Sequence, residues 1–246
     1  FEPVTAWAAK KQKRQVLGIG HQYAFDHDIP KAGADPIASL VMKMFAPVHI
    51  GMGLHWHHFD QPVLPPIIEI KSPPDKIKKD KIIVYLPFEE PIGIVQLLSP
   101  FSGYEFHVYT PTRIESLYPH ILIKPLSRDG FQRDMYDCAG IISNAGFELA
   151  SESLQLGKKI LVKPLSSQME QISNARALHD LGYGKATDHL DTSVVEQWLD
   201  DDRAVRIAYP NVARTIVQWI EDGMRPVDQD WFQGVWDTAN VERVKA

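Results

Sequence analysis

The run Ile141-Ile142-Ser143-Asn144-Ala145-Gly146-Phe147-Glu148-Leu149-Ala150-Ser151-Glu152 reads as an apolar strand, a turn of small residues and the start of a helix. A helix N-terminus presents unpaired N–H groups and a partial positive charge, which suits a phosphate. Ala145 and Gly146 leave room for a ligand to approach the backbone. Glu148 and Glu152 stand one helical turn apart, so both lie on one face. A carboxylate there can accept hydrogen bonds from ribose or sugar hydroxyls. The same pattern also fits a plain strand–turn–helix with two solvated glutamates.

A second strand end runs into a helix at Pro164 to Ala175. Its Glu170 and Gln171 fall in the first turn, where an acidic side chain stabilises the helix dipole whether or not a ligand is bound. His21 and Gln22 follow a short apolar run, which makes them candidates for diphosphate or acceptor contact as well as for a plain loop. His55 and His57 would share one face of a strand, and two histidines can begin a zinc site. Only Asp60 stands near as a third ligand, so no metal and no cofactor is expected. The single cysteine, Cys138, excludes an internal disulfide framework and is expected to be buried and inert.

The elements that must position these groups alternate at short spacing. Strands are expected at 15–19, 48–54, 67–70, 81–86, 105–109, 121–124, 140–143 and 159–162. Helices are expected from Glu2-Pro3, over 35–46, 91–98, 131–137, 146–156 and 169–181, and in the tail over 193–200 and 212–222. This alternation predicts a parallel sheet covered by helices, an α/β fold. Lys71 to Asp80, with two prolines and dense charge, is the linker candidate. It divides the chain into a partial α/β domain, 1–75, and a Rossmann-like domain with carboxyl-terminal helices, 76–246. Trp231, Phe232 and Trp236 near the end need a surface to pack on, and the first domain is the expected one.

The 246 residues are 44% hydrophobic and 23% charged, with a net charge of −5. That balance argues against a nucleic-acid partner. No run approaches the roughly 18 apolar residues that cross a bilayer, and no signal peptide is visible, so a cytoplasmic protein is expected. The chain opens on Phe1 in what reads as mid-domain sequence, which leads to the expectation that upstream elements are missing.

Together, Asn144-Ala145-Gly146, Glu152 with Gly157, Pro164, Glu170-Gln171 and Asn174-Ala175 resemble the carboxyl-terminal domain of GT-B glycosyltransferases. The likeness is closest to proteins related to the lipid II-forming N-acetylglucosaminyltransferase and to family 28 enzymes. It covers about residues 80 to 185. It implies transfer of a sugar from a nucleotide-diphosphate donor, a UDP-sugar, to an unidentified sugar or lipid acceptor, with peripheral membrane contact compatible with a lipid acceptor. Glu152 would hold the ribose hydroxyls, Ala145 and Gly146 would receive the diphosphate, and Glu170 and Gln171 would read the donor sugar. Phe88 and Glu89, after the domain's first strand, would face the same cleft. Asn144 stands where plant-type relatives carry a phosphate-contacting His, and the motif itself lacks a cation for the diphosphate, with Lys124 and Arg128 the nearest candidates. The glycine-rich loop that carries the family's acceptor-side base is not seen, so no catalytic residue is assigned. A nucleotide-sugar 2-epimerase and a non-catalytic nucleotide-sugar-binding protein are the alternatives on the same fold.

Overall fold

The computed structural model describes residues 3–32, 44–69 and 76–245. Glu2 at the start of the first expected helix, most of the helix expected over 35–46 and the first half of the linker candidate lie outside these residues. The chain divides into two compact units, 1–70 with 208–240 and 71–207 with 241–246. Residues 208–240, which the sequence boundaries assign to the second domain, therefore cluster with the first unit.

In the first unit, α1 (Pro3–Lys11) leads to a three-stranded parallel sheet of β1 (Leu17–Gly20), β2 (Ile50–Leu54) and β3 (Val63–Leu64). His21–Asp26, expected as a loop, forms a 3-10 helix packed on this sheet through buried Tyr23 and Ala24. The strand expected at 67–70 is not formed over its described residues. Pro65 and Pro66 precede it, and proline supplies no N–H to a ladder.

The second unit carries a six-stranded parallel sheet. In chain order its elements are β4 (Lys78–Tyr85), α2 (Pro91–Leu98), β5 (Glu105–Tyr109), β6 (Ile121–Lys124), α3 (Arg128–Asp137), β7 (Cys138–Ser143), α4 (Phe147–Gln155), β8 (Lys159–Val162), α5 (Met169–Asp180), β9 (Lys185–Ala186) and α6 (Thr192–Asp200). The spatial order is β6-β5-β4-β7-β8-β9. β4 begins inside the expected linker, because Lys78, Lys79 and Asp80 continue the strand at an exposed end.

β7 is buried at every residue, the signature of a strand covered on both faces. On one face Ile82, Val84, Phe106, Val108, Ile142 and Leu161 pack against Ile94, Val95 and Leu98 of α2 and Val195, Trp198 and Leu199 of α6. On the other, Ile83, Tyr109 and Ile141 pack with Met135, Cys138 and Leu156. Alternate residues of β4 thus feed opposite cores, as a period of two requires. Helix α4 ends at Gly157, whose φ of +66° is the left-handed conformation that glycine adopts without strain.

After α6 the chain forms β10 (Arg203–Ala208), α7 (Val212–Glu221), α8 (Gln229–Trp236) and β11 (Asn240–Lys245), with β10 and β11 paired as a two-stranded sheet. Trp236 of α8 donates its indole N–H to the carbonyl of Val63 at 2.8 Å, inside the first unit.

Candidate functional site

Chain order runs outward from β4 in two directions, to β5 and β6 on one side and to β7, β8 and β9 on the other. The reversal falls between β4 and β7. Crevices of open α/β sheets form there, outside the carboxyl ends of the strands. In this chain those ends are Pro87 to Glu90 after β4 and Asn144 to Gly146 after β7, with Lys163 and Pro164 next door after β8.

The helices that leave this edge differ in how they begin. Glu90 caps α2 by accepting from the Gly93 N–H at 2.7 Å. Ser127 and Asp191 cap α3 and α6 in the same way. Helices α4 and α5 have no side-chain cap, with Gly146 and Gln168 at the cap positions. A Cβ added at Gly146 would meet nothing within 4 Å, so the space over this turn is open. A helix N-terminus without a side-chain cap, next to an open turn, suits an anion.

Asn144 is 8% exposed, and its Nδ2 donates to the Lys163 carbonyl at 2.9 Å. Its Oδ1 is buried without a hydrogen-bond partner. A buried amide oxygen left unsatisfied costs free energy that a ligand donor can recover. Asn174, fully buried on α5, donates to the Ala145 carbonyl at 3.0 Å and fixes the turn from beneath.

Glu148 is exposed and Glu152 is half-buried on α4. Gln132 of α3 donates to Oε2 of Glu152 at 2.8 Å. Glu170 is half-buried. Gln171 accepts from the Leu165 N–H at 3.1 Å and donates to Gln168 at 2.9 Å, so its amide is engaged in shaping the loop before α5. Phe88 is 65% exposed. Glu89 accepts from the Lys163 ammonium at 2.5 Å.

In the first unit, His21 is buried with its Nδ1 2.8 Å from the Leu54 carbonyl, and Gln22 is half-buried. His55 and His57 do not share a strand face, because β2 ends at Leu54. Each instead takes a backbone N–H on its Nδ1, from Trp56 and Phe59 respectively. Burial, with His21 and His57 adding to it, holds His55 well below the usual histidine range. Cys138 is fully buried, and burial pushes its thiol up to about 12.

A network absent from the sequence reading lies under the same sheet. Lys81 of β4 donates to Asp134 at 2.8 Å and to Asp137 at 2.5 Å. His107 of β5 contacts Asp134 at 2.6 Å and Glu105 at 2.7 Å, and Tyr109 donates to Asp134 at 2.6 Å. Burial alone would raise the Asp134 carboxyl, but the hydrogen bonds from Lys81, Tyr109 and His107 outweigh it and hold it far below the usual carboxylate range. Burial alone would lower Lys81, yet its two carboxylates hold it above the usual lysine range. The cluster clamps α3 to the sheet, and α3 carries Gln132.

Residues 1–201 match the family model described as glycosyl transferase family 1. The chain belongs to that family. No curated protein matches the sequence. Among solved structures, this family member is similar to the spinosyn rhamnosyltransferase SpnG, at 16% identity and a TM-score of 0.54, over 94% of this chain and 69% of that one. It is also similar to the calicheamicin glycosyltransferase CalG4, at 14% identity and a TM-score of 0.50, over 78% of this chain and 61% of that one. An Acinetobacter baumannii MurG structure aligns at 15% identity and a TM-score of 0.48, over 94% of this chain and 63% of that one. At these identities the likeness is one of fold, that of GT-B glycosyltransferases. The chain spans 52% of the kitacinnamycin glycotransferase and 69% of SpnG. Among the described residues no helix is long and apolar enough to cross a membrane.

Besides that network, Lys163 and Gln132, which contact the sequence candidates Glu89 and Glu152, are not among the sequence-derived candidates. Lys163 precedes Pro164 at a strand end, a signal that was available. Gln132 carries none, because its partner Glu152 is 20 residues away on another helix.

Proposed function

We propose that this chain transfers a glycosyl group from a nucleoside-diphosphate sugar, a UDP-sugar, to a sugar or lipid hydroxyl. The observation that carries the reading is the β7–α4 turn at the switch point of the sheet. There an uncapped helix N-terminus, open space over Gly146 and the unsatisfied Asn144 Oδ1 coincide. Family membership supports the reaction class.

In this reading Asn144, Ala145 and Gly146 receive the diphosphate, and Glu152 accepts from the ribose hydroxyls. Glu148 stands on the same helix face, and Glu170 and Gln171 contact the donor sugar. Phe88 and Glu89, in the turn after β4, line the approach to the β7–α4 turn, and His21 and Gln22 are the first unit's own candidates for acceptor contact. The acceptor oxygen attacks the anomeric carbon. The bond from that carbon to the diphosphate breaks, and its electron pair leaves with the diphosphate oxygen. The first-turn N–H groups of α4 stabilise the charge that develops there. The hydroxyl proton passes to an acceptor-side base, to which no residue is assigned.

Calorimetric titration with UDP, UDP-glucose and UDP-N-acetylglucosamine, wild type beside Glu152→Ala, tests the donor site. Binding by the wild type that is lost in the variant is expected. Wild-type chain that binds none of the three would sink the UDP-sugar assignment.

A further inference from the structure

The sheet order places a cation where the motif has none. Lys163 directly follows β8 and Glu89 lies in the turn after β4, and between those strands runs β7. Two strand spacings separate β4 from β8, roughly 10 Å. The Lys163–Glu89 ion pair therefore reaches across the carboxyl end of β7, over the turn that leads into α4. The backbone of Lys163 is fixed to that turn on both sides. Its N–H donates to the Ser143 carbonyl at 3.0 Å, and its carbonyl accepts from Asn144. Its side chain is 22% exposed and that of Glu89 is 27% exposed, so the pair is neither buried nor freely solvated. Asn144, whose Nδ2 holds the Lys163 carbonyl, keeps its own Oδ1 buried and unpartnered.

We propose that Lys163 is the cation that meets the donor diphosphate, and that Glu89 holds the ammonium across the crevice until the donor displaces it. This rests on the donor-site reading above. An ammonium has three donors and acts on phosphate as a point charge, so it can exchange one carboxylate for diphosphate oxygens without moving its backbone. Glu89 then acts as a competitor of the ligand for Lys163.

The test is calorimetry with UDP, dTDP, GDP and ADP, and with uridine as the phosphate-free control, on wild type, Lys163→Ala, Lys163→Arg, Glu89→Gln and Glu152→Ala. Circular dichroism melts establish that each variant is folded. For the nucleotide that binds, Lys163→Ala is expected to weaken affinity about tenfold or more, the loss of one charge-assisted hydrogen bond. Lys163→Arg is expected to retain most of the affinity, and Glu89→Gln to bind several-fold tighter, most clearly at low salt. Uridine affinity should not change between Lys163→Ala and wild type. Nucleotide binding unchanged in Lys163→Ala but lost in Glu152→Ala overturns the Lys163 role and leaves the donor site standing. Weaker binding by Glu89→Gln overturns the competitor role of Glu89. Failure of the wild type to bind any of the four overturns both readings.

Discussion

Glu152 has one carboxylate oxygen engaged by Gln132 at 2.8 Å. A carboxylate oriented in this way presents its other oxygen in a fixed direction, which lowers the entropy lost when a ribose hydroxyl binds. Gln132→Ala is expected to weaken a ribonucleoside diphosphate about three- to tenfold, while leaving an analogue without ribose hydroxyls almost unchanged. Parallel titration of UDP and its 2′,3′-dideoxy counterpart would read the difference, and equal losses for both would remove Gln132 from this role. At this scale the sequence exposed Glu148 and Glu152, because helical spacing is local. It could not expose Gln132, nor the pairing of Lys163 with Glu89, 74 residues apart.

Helix α3 is held by charge as well as by the apolar contacts of Met135 and Phe131. The depressed Asp134 carboxyl contributes stability that is present above the unfolded aspartate value and lost as pH falls through the folded one. Stability should therefore decline with acid from about pH 4 downward. Asp134→Asn should flatten that decline and cost about 3 kcal/mol at neutral pH, near the low end for a broken buried pair because Asp137 still holds Lys81. Urea melts of both proteins at pH 7 and pH 3 would check the slope.

The start of β8 fixes α3 a second time and α6 as well. Lys158, fully buried, donates to the carbonyls of Tyr136 and Cys138 at the end of α3, both at 2.8 Å. Lys159 donates to the Leu199 carbonyl at the end of α6 and lies over the Trp198 ring. Adjacent strand residues point to opposite faces, so one Lys-Lys pair caps helices on both sides of the sheet. Trp198 also limits β7, where a Cβ at Gly140 would come within 2.8 Å of its ring. Gly140→Ala is expected to destabilise by about 1–3 kcal/mol through overpacking, measured by denaturant midpoint. An unchanged midpoint would mean that α6 can shift away freely.

For the molecule as a whole, the first unit is completed by residues far along the chain. Trp236 is buried and bonded to Val63, 173 residues away. Trp236→Ala is expected to cost about 3–5 kcal/mol through the cavity and the lost hydrogen bond. The effect should be confined to the first unit. Amide hydrogen exchange should show lost protection over β2 and β3 with β4, β7 and β8 unchanged, and a loss shared equally by both units would contradict the division.

The sequence by itself determined the α/β class, most strands and helices of the second unit, and the turn Asn144 to Gly146 with Glu152 behind it. All of these follow from local periodicity and from small residues between a strand and a helix. It misplaced the strand at 67–70, set the start of β4 too late and missed β9, β10 and β11, because a two-residue or edge strand is defined by its partner rather than by its own pattern. Only the tertiary structure decided the strand order that puts β4 beside β7, the return of residues 208–240 to the first unit, and the span of Lys163 to Glu89 across the end of β7. Those are long-range pairings, and no local spacing encodes which distant residue will supply the opposite charge.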